Sequence, residues 1–570
     1  MATIADTPGS PAEDRGAARP SLRGAPAEPG TLTAVHHPDP HSPLTPPRPT
    51  QVTPVPLAEL ARRLGVTPTG GPTSPDTAGL GVTGITHDSR AVRPGDLYAA
   101  LPGTRFHGAD FAVQAAGLGA VAVLTDPAGT ERAAATGLPV LTVPDPRGRM
   151  GALAAAIYGE PGRDLLRIGV TGTSGKTTTA YLVEGGLRRA AQREGHLTGL
   201  VGTVETRIGD ERLKSERTTP EATELQALFA VMRERGVRSV AMEVSSHALV
   251  LGRVDGCVFD VAVFTNLSPE HLDFHRDMED YFQAKAQLFT RARSRAGVVN
   301  LDDEYGQRLV TAAEVPVTTF SAEGHPDADW RAADVEVGPL GSRFTALGPD
   351  GVAVPAAAPL PGPFNVANAL AAIAALTVAG VDPVTAAEGV AAVPGVPGRL
   401  ERIDVGQPYL AVVDYAHKPG AVDSVLRALR KVTEGRLHAV LGCGGDRDPH
   451  KRPAMGATVA RLADTAILTS DNPRSEDPLA ILAAMLGGAA EVPAHERGTV
   501  LLEEDRAAAI AAAVARAQPG DTVLVAGKGH EQGQDIAGVV RPFDDREELR
   551  EAIKRAAHAA APTPSSNPSA

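Results

Sequence analysis

Residues 172–178, Gly-Thr-Ser-Gly-Lys-Thr-Thr, combine the residue types that hold phosphate groups, and they directly follow an apolar run at 165–170. A strand that turns through glycines into a helix presents backbone N–H groups and the positive helix end to an anion. In such a loop Lys176 reaches the terminal phosphates and the Thr177 hydroxyl can bind Mg²⁺. Val170 occupies the place where the usual pattern begins with glycine, so this is a shorter form. The pattern predicts that the chain binds ATP.

Polar groups at two further strand ends are suited to binding a metal ion. Glu243 lies at the end of one apolar run, and His271 and Asp273 follow another. A carboxylate beside the phosphate loop can complete a Mg²⁺ shell together with Thr177 and phosphate oxygens. His271 is a candidate second ligand, and Asp273 is a candidate partner that orients its ring. Each residue alone fits a structural role, so the metal hypothesis depends on their occurring together.

Two weaker signals follow in the same part of the chain. Lys285 lies in an amphipathic pattern at 281–289 that predicts a helix, and on composition alone it is an ordinary solvated lysine. Asn300 begins an Asn-Leu-Asp-Asp run after another predicted strand, where it could contact a nucleoside. Neither pattern by itself assigns a role.

A turn near the carboxyl end of the chain has the groups that bind an amino acid. Residues 471–474, Asp-Asn-Pro-Arg, follow an apolar run, so Asp471 can accept from an ammonium group and Arg474 can hold a carboxylate through two hydrogen bonds. Arg447 and Glu531 follow two other predicted strands, and we expect them to converge with Arg474. Two cations and an acid suit a zwitterion with an additional charged centre. An exposed surface turn is the alternative.

The order of these patterns predicts an α/β protein, because apolar strand-like runs alternate with helical ones and indicate parallel, doubly wound sheets. A length of 570 residues suggests about three domains. We place them at 52–163, 164–397 and 398–557. The Pro- and Ala-rich stretch 1–51 is predicted to be a disordered arm, and 558–570 a disordered tail, because neither can bury enough apolar surface to offset its ordering entropy.

The bulk composition excludes several classes of protein. A formal net charge of −13 argues against nucleic acid as a partner. The two cysteines, Cys257 and Cys443, are far apart in sequence, which fits a reducing cytoplasm better than a metal site or a disulfide framework. No signal peptide and no apolar run long enough to span a bilayer are recognisable. We therefore expect a cytoplasmic protein, acting as a monomer on small molecules.

These motifs together resemble the Mur ligases, which build the peptide stem of bacterial peptidoglycan by ATP-dependent amide formation. The resemblance covers about 52–557 and rests on the 172–178 loop, on Thr-Thr-Pro at 218–220, on Met-Glu-Val-Ser-Ser-His at 242–247, and on 266–273 and 284–285. It implies three domains: one that binds the uridine diphosphate substrate, a central ATPase domain with the phosphate loop on a parallel sheet, and a Rossmann-like carboxyl-terminal domain that binds an amino acid.

The resemblance also implies roles for individual residues. It implies that ATP contacts Gly172, Thr173, Ser174, Gly175, Lys176, Thr177, Thr178, Asn300, Arg399, Asp414 and His417. It implies that the UDP-linked substrate contacts Ser89, Thr104, Arg105, Phe106, Thr218, Thr219, Ser245 and Arg253. It implies an amino-acid site at Arg447, Asp471, Asn472, Pro473, Arg474, Gly527 and Glu531. The implied catalytic residues are Lys176, Glu243, His271 and Lys285, with Thr177, Glu243, His271 and a carboxylated Lys285 as Mg²⁺ ligands.

Within that family the Asp-Asn-Pro-Arg turn at 471–474 resembles the signature of enzymes that add meso-diaminopimelate to UDP-N-acetylmuramoyl-L-alanyl-D-glutamate. A sister ligase that adds lysine or another amino acid is the nearest alternative. A folylpolyglutamate-synthase-like enzyme shares the loop but has no use for a uridine diphosphate domain. A nucleotide-dependent binding or switch protein would hydrolyse ATP slowly and would not need a muramoyl peptide.

Overall fold

The computed structural model of the chain describes residues 47–71 and 80–560. The predicted arm therefore lies outside the described residues except for 47–51, and the predicted tail lies outside them except for 558–560. The described part of the arm packs on the rest of the chain: Arg48 pairs with Asp96 at 2.6 Å, and the amides of Thr50 and Gln51 donate to Glu234. These contacts are polar, so a prediction based on apolar burial could not find them.

The first α/β unit has a four-stranded parallel sheet in the order β3-β4-β5-β6. Its helices pack an apolar core that also includes Ala222, Ala227 and Ala230 of the next unit. The elements are β1 (Val55–Pro56), α1 (Leu57–Leu64), β2 (Gly81–Val82), β3 (Gly84–Thr86), β4 (Asp96–Ala100), α2 (Ala112–Gly117), β5 (Ala122–Thr125), α3 (Thr130–Ala134), β6 (Val140–Thr142) and α4 (Arg147–Ile157).

The central unit is built on an eleven-stranded sheet in the order β10-β9-β8-β11-β7-β12-β13-β14-β15-β16-β17. Its elements are β7 (Leu166–Thr171), α5 (Lys176–Glu194), β8 (Leu197–Val201), β9 (Glu205–Ile208), β10 (Glu211–Lys214), α6 (Ala222–Glu234), β11 (Val237–Glu243), α7 (Ser246–Val250), β12 (Phe259–Phe264), α8 (Met278–Ala286), β13 (Ser294–Asn300), α9 (Glu304–Ala312), β14 (Val317–Ser321), β15 (Trp330–Gly338), β16 (Gly341–Leu347), β17 (Ala353–Ala358), α10 (Pro363–Val378) and α11 (Pro383–Ala391).

Seven neighbouring strands in the middle of this sheet are parallel: β8, β11, β7, β12, β13, β14 and β15. The pairings at both ends of the sheet are antiparallel. The middle strands read as continuous apolar runs because helices cover both faces of a parallel sheet. Helix α10 is apolar on all sides for a related reason, since it lies in the core between α5 and the sheet. The parallel α/β prediction is confirmed for the middle of the sheet, and the antiparallel strands 330–358 were not predicted.

The third unit has a six-stranded sheet in the order β18-β19-β23-β20-β21-β22, parallel except for β18. Its elements are β18 (Glu401–Arg402), β19 (Leu410–Asp414), α12 (Pro419–Arg430), β20 (Leu437–Cys443), α13 (Lys451–Leu462), β21 (Thr465–Ser470), α14 (Pro478–Glu491), β22 (Thr499–Leu502), α15 (Arg506–Val514), β23 (Thr522–Ala526), β24 (Gly533–Ile536), β25 (Val539–Pro542) and α16 (Asp545–Ala560).

Helix α16 continues to Ala560, three residues beyond the predicted end of the ordered chain at 557. Its buried Leu549, Ala552 and Ile553 anchor it to the third sheet, and the alanines that follow are strong helix formers. In the described parts of the chain, no helix combines the length and the apolar character needed to cross a membrane.

Candidate functional site

The phosphate loop follows β7 with a geometry that requires glycine. Gly172 has a φ of +147°, and a β-carbon there would collide with Thr265 Oγ1. Gly175 has a φ of +85°, and a β-carbon there would lie 2.5 Å from Asn368 Oδ1. Helix α5 begins immediately afterwards at Lys176, so the free N–H groups of its first turn face the loop. Such a loop can wrap an anion with backbone amides.

Neighbouring strand ends hold the loop in this shape. Thr173 N donates to Asn266 O at 2.8 Å, and Ser174 N donates to Asn266 Oδ1 at 2.9 Å. Thr265 Oγ1 donates to Ser174 O at 2.7 Å. Thr178 lies buried in the first turn of α5. The motif at 266–273 gives Asn266 no role by itself, and the structure shows that Asn266 fixes the loop.

Two lysines converge on the same carbonyl of the loop. Lys176 Nζ donates to Gly172 O at 2.9 Å, and Lys285 Nζ donates to Gly172 O at 2.8 Å. Burial lowers the pKa of Lys176, and burial together with the charge of Lys176 lowers the pKa of Lys285 well below its usual range. Lys285 is 1% exposed, so the solvated lysine that composition indicates is wrong: its position on α8 turns it into the core beneath the loop.

A buried carboxylate lies on the other side of Thr177. The Thr177 hydroxyl donates to Glu243 Oε2 at 3.0 Å, and Thr203 N donates to Glu243 Oε1 at 2.7 Å. Glu243 ends β11, the strand next to β7, so the parallel register brings it to the loop. The strand-end position that the sequence indicated is therefore confirmed.

His271 lies near the two lysines in a strained backbone conformation, with a φ of +56°. Burial and the charges of Lys176 and Lys285 lower its pKa to about 4, so the ring is neutral at pH 7. Its Nε2 atom lies 3.0 Å from Glu270 Oε1, whereas Asp273 is exposed. The expectation that Asp273 orients the ring is wrong, because the turn after β12 points the preceding glutamate at the ring instead.

The donor set around Thr177 fits Mg²⁺. The Thr177 and Glu243 oxygens are neighbours, and Glu270 Oε2 is buried without a hydrogen-bond partner. Among the described residues no group of three or more His, Cys, Asp or Glu side chains is arranged to hold a metal. Mg²⁺ is usually held by one or two carboxylates, with phosphate oxygens and water as its other ligands, so an incomplete protein shell is what this ion needs.

The third unit reaches the loop with cationic side chains. Arg399 Nη2 donates to Thr177 Oγ1 at 3.2 Å, and its guanidinium lies 4.5 Å from the ring centre of Tyr415. Lys418 forms an ion pair with Glu270. Sequence reasoning missed Lys418 and Glu270, because their pairing joins positions 148 residues apart.

Three residues expected to contact ATP bond to the protein itself. Asp414 accepts from the amides of Leu400 and Ala416, both at 2.7 Å. The His417 ring bonds to Tyr415 O at 2.7 Å. Asn300 Nδ2 donates to Thr265 O at 2.9 Å. The structure places all three at strand ends, where they shape the loops that carry Thr265, Arg399 and Lys418.

The amino-acid motif forms a second polar site at the edge of the third sheet. Asn472 Nδ2 donates to Glu531 Oε2 at 2.9 Å, and Lys528 Nζ donates to Asn472 Oδ1 at 3.0 Å and to Glu531 Oε2 at 3.1 Å. Lys528 is fully buried. Sequence reasoning did not include it in the site, although it directly follows Gly527.

The remaining members of this motif lie around that network. Arg474, with a φ of +53°, donates to Gly445 O, and Pro473 precedes it in the turn. The Asp471 carboxylate lies beside Gly527. Arg447 is exposed on the turn after β20. The expected convergence is therefore partial: the Asp-Asn-Pro-Arg turn and Glu531 come together, while Arg447 projects into solvent because its turn leaves the sheet edge.

Comparisons with known proteins agree with this geometry. Three family models match the chain: "Mur ligase family, catalytic domain" at residues 81–158, "Mur ligase middle domain" at 170–376, and "Mur ligase, glutamate ligase domain" at 398–529. A UDP-N-acetylmuramoyl-L-alanyl-D-glutamate–2,6-diaminopimelate ligase from Streptomyces coelicolor is 77% identical over 90% of this chain and 98% of its own length. The chain belongs to the Mur ligase family.

Two further relatives have the same name. The Corynebacterium glutamicum protein is 52% identical to this Mur ligase over 83% of this chain and 92% of its own length. A solved structure of a UDP-N-acetylmuramoyl-L-alanyl-D-glutamate–2,6-diaminopimelate ligase superimposes with a TM-score of 0.64 at 32% identity, covering 89% of this chain and all of that one. The three-domain Mur ligase architecture expected from the sequence is confirmed, and the chain is a ligase.

The other predicted contacts of this Mur ligase fall into two groups. In the first unit, Ser89 Oγ donates to Gln114 Oε1 at 3.1 Å, and Phe106 is 68% exposed. Its neighbours Thr104 and Arg105 share the same exposed loop. The first group therefore offers an open polar loop with one exposed aromatic ring.

The second group lies next to the phosphate loop. Thr218 shares a 3.0 Å hydrogen bond with Thr203, and Thr219 Oγ1 donates to Glu243 O at 2.9 Å. Ser245 caps α7, and Arg253 Nε lies 2.8 Å from Glu221 Oε1. Thr218 and Thr219 therefore contact residues around Glu243. Arg253 instead pairs with Glu221, the residue that precedes α6.

Proposed function

We propose that this Mur ligase uses ATP to join meso-2,6-diaminopimelate to UDP-N-acetylmuramoyl-L-alanyl-D-glutamate, in peptidoglycan precursor synthesis. The observation that supports the substrate most strongly is the site at the edge of the third sheet, where Asn472 and Glu531 bond to the buried Lys528 and the Asp-Asn-Pro-Arg turn carries Asp471 and Arg474. Relatives at 77% and 52% identity have this activity in their names. The free, buried Cys257 and Cys443 support a cytoplasmic protein, and we propose that it acts as a monomer.

The first step transfers the γ-phosphoryl group of ATP to the D-glutamate carboxylate of the substrate. The carboxylate oxygen forms a bond to phosphorus while the bond to the β-phosphate oxygen breaks, giving an acyl phosphate and ADP. The loop amides, Lys176 and Arg399 supply positive charge around the polyphosphate, and electrostatic stabilisation is the main catalytic contribution in phosphoryl transfer. The nucleotide is held by 172–178, and Asn300, Asp414 and His417 shape the surrounding loops.

In the second step the amine of diaminopimelate attacks the acyl carbon. A tetrahedral intermediate forms, the carbon–oxygen bond to phosphate breaks, and the amide and inorganic phosphate are released with one proton. We assign recognition of the amino acid to Asp471, Asn472, Pro473, Arg474, Gly527 and Glu531, and to Arg447 from the exposed turn that adjoins them. Arg474 suits the distal carboxylate, because a guanidinium forms paired hydrogen bonds with a carboxylate. Lysine has no carboxylate at that position.

Thr177, Glu243 and His271 are the residues that would hold Mg²⁺, with Lys285 as a further ligand after carboxylation. When bound, the ion would neutralise charge on the transferring phosphoryl group. The low pKa of Lys285 supports carboxylation, because the neutral amine is the form that reacts with CO₂, and burial favours the neutral form. Both lysines donate to the Gly172 carbonyl. A carbamate on Lys285 would instead form an attractive anion–cation pair with Lys176.

We assign the UDP-linked substrate to the first unit and the adjoining edge of the central unit. The exposed loop with Thr104, Arg105 and Phe106, together with Ser89, suits a uridine diphosphate, because it offers polar groups, a cation and an aromatic ring. Thr218, Thr219, Ser245 and Arg253 would then hold the peptide part. The two threonines lie next to the environment of Glu243, so they would direct the terminal carboxylate of the peptide toward the phosphate loop.

The experiment that tests this function measures phosphate release with ATP, Mg²⁺ and the UDP-muramoyl dipeptide. Parallel reactions contain meso-diaminopimelate or L-lysine, and we expect release that depends on the dipeptide and on diaminopimelate. Arg474→Met should raise the KM for diaminopimelate about 10- to 100-fold, since a hydrogen-bonded charge contributes about 1.5–3 kcal/mol. Arg461→Met, on the exposed face of α13, is the matched control and should change nothing. Turnover with lysine in place of diaminopimelate would contradict the substrate assignment.

A further inference from the structure

A fully buried arginine lies directly behind the amino-acid site. Arg506 begins α15, and its side chain and that of Asp545 at the start of α16 are both 0% exposed. Arg506 Nε donates to Asp545 Oδ1 and Nη2 donates to Asp545 Oδ2, each at 2.7 Å. This paired geometry fixes the plane of the guanidinium.

The remaining donors of the guanidinium bind two strand ends. Arg506 Nη1 donates to Ser470 O at 3.2 Å, and Nη2 donates to Ala526 O at 2.9 Å. Ser470 is the last residue of β21 and Ala526 is the last residue of β23. These strands are not neighbours, because β20 lies between them in the sheet. Arg506 therefore joins two strand ends that no backbone ladder connects directly.

Each of these carbonyls immediately precedes a loop of the amino-acid site. The loop after Ser470 carries Asp471, Asn472 and Arg474, and the loop after Ala526 carries Lys528 and Glu531. On the opposite side the two loops meet through the Asn472 and Glu531 side chains. The two loops are therefore connected twice: by the Asn472–Glu531 hydrogen bond at the site, and by Arg506 behind it.

The buried charge also acts on the site. Burial alone would lower the pKa of Arg506, but Asp545, and at longer range Asp471 and Glu531, raise it. The guanidinium therefore stays charged behind the two loops that carry these carboxylates.

We propose that Arg506, oriented by Asp545, is a positioning residue for amino-acid binding: it sets the spacing of the two loops that hold the second substrate. The inference rests on the proposed function, since it concerns the pocket assigned to diaminopimelate. Arg506 does not contact that substrate, so removing it should change binding of the amino acid far more than binding of ATP or the UDP-linked peptide.

A buried pair at the opposite end of the same sheet provides a control. His438 Nε2 lies 3.1 Å from Asp521 Oδ2, and both side chains are at most 5% exposed. Their positions near the starts of β20 and β23 place them far from the loops at the strand ends. Loss of this pair weakens the fold of the third unit without touching either loop.

The experiment compares the unaltered protein with Arg506→Met, Arg506→Lys, Asp545→Asn and His438→Gln. KM for meso-diaminopimelate, KM for ATP, KM for the UDP-muramoyl dipeptide and Tm are measured for each. We expect KM for diaminopimelate to rise at least tenfold in Arg506→Lys and further in Arg506→Met, with the other two KM values within twofold. Asp545→Asn keeps both carbonyl contacts and should give a smaller rise. His438→Gln should lower Tm and leave all three KM values unchanged.

Three results would overturn the inference: an unchanged KM for diaminopimelate in Arg506→Lys, a parallel rise in all three KM values, or the same rise in His438→Gln. If Arg506→Met does not fold, Arg506→Lys and Asp545→Asn decide the question. Lack of turnover with diaminopimelate by the unaltered protein would instead remove the proposed function, and this inference with it.

Discussion

At the residue scale, the phosphate site is defined by its excess of basic groups over acidic ones. Lys176, Lys285 and Arg399 surround the loop, while Glu243 and Glu270 supply the nearby negative charge. Burying charges without enough partners costs free energy. Proteins retain that cost at sites where a bound ligand supplies the opposite charge. A polyphosphate has the charge and the oxygen atoms that this arrangement lacks.

The buried His417 should make stability depend on pH. Burial lowers its pKa to about 4 in the folded protein, whereas the unfolded chain binds the proton near pH 6.5. The unfolded state therefore binds more protons between these values, and stability falls as pH drops from about 6.5 to 4. The loss should approach about 3 kcal/mol. Denaturant unfolding followed by circular dichroism measures it.

His417→Asn keeps a donor for the Tyr415 carbonyl but does not titrate, so the pH dependence of its unfolding free energy should be flatter. His495→Asn, at an exposed position of the same unit, is the control and should keep the slope of the unaltered protein. Equal slopes in all three proteins would show that His417 is protonated alike in both states, against the expectation.

Sites formed by residues close together in the sequence could be predicted, whereas pairs of residues far apart in the sequence could not. The 172–178 loop and the 471–474 turn have local patterns with a known chemistry, so their positions at strand ends could be predicted. Glu270, Lys418, Lys528 and Arg506 gain their roles from partners elsewhere in the fold or from complete burial. A single charged residue in a sequence does not show either condition.

At the element scale, both sites result from parallel strands that end at one edge. β7, β11 and β12 bring the loop, Glu243 and His271 together, and β21 and β23 bring together the two loops of the amino-acid site. Ligands bind at the carboxyl ends of such sheets because the connections leave a crevice there. The alternation of strands and helices therefore predicted which ends carry the chemistry.

The antiparallel strands β15, β16 and β17 were missed because their patterns are weak. β15 is largely exposed after Trp330, so it has no continuous apolar run. Strands of this kind form by pairing with the sheet edge, and their stability depends on cross-strand neighbours rather than on local preference. The sequence window alone does not contain that information.

Substituting a glycine of the phosphate loop tests whether ATP binding depends on the shape of that loop. Gly172→Ala would force the new methyl group against Thr265 Oγ1, moving the residue that also binds Ser174 O. We expect the KM for ATP to rise at least tenfold, equivalent to about 1.4 kcal/mol. ATP-dependent phosphate release measures it.

Gly195→Ala is the matched control, because Gly195 has a φ of +74° at the end of α5 and no neighbouring atom within 4 Å of an added β-carbon. It should lose about 1 kcal/mol of stability and retain its KM for ATP. A similar KM for ATP in Gly172→Ala and the unaltered protein would contradict the assigned role of the loop.

At the scale of the whole molecule, the two sites belong to different units that meet at the phosphate loop. Arg399 bonds to Thr177, and Lys418 pairs with Glu270. We expect these polar contacts between units to exchange for contacts with a nucleotide, which would let the third unit move to admit substrates and exclude water. The reaction needs that approach, because the amine must reach a carboxylate activated at the loop.

Loss of these contacts should open the molecule. The double variant Arg399→Ala/Lys418→Ala should have a larger radius of gyration by small-angle X-ray scattering, because these two polar contacts between the units are lost. Its KM for ATP should rise about tenfold, as expected for a charged hydrogen-bond donor. Arg402→Ala removes an exposed pair with Asp404 inside the third unit and should leave both quantities unchanged. An unaltered radius of gyration in the double variant would contradict the role of the contacts.

The measurement that tests the account most directly follows an oxygen atom. The UDP-muramoyl dipeptide, labelled with ¹⁸O in the D-glutamate side-chain carboxylate, is incubated with the protein, ATP, Mg²⁺ and meso-diaminopimelate, and both products are analysed by mass spectrometry. We expect a peptide that has gained diaminopimelate and inorganic phosphate that carries one ¹⁸O, because the carboxylate oxygen leaves with phosphorus. Unlabelled phosphate, or a peptide without diaminopimelate, would contradict the account.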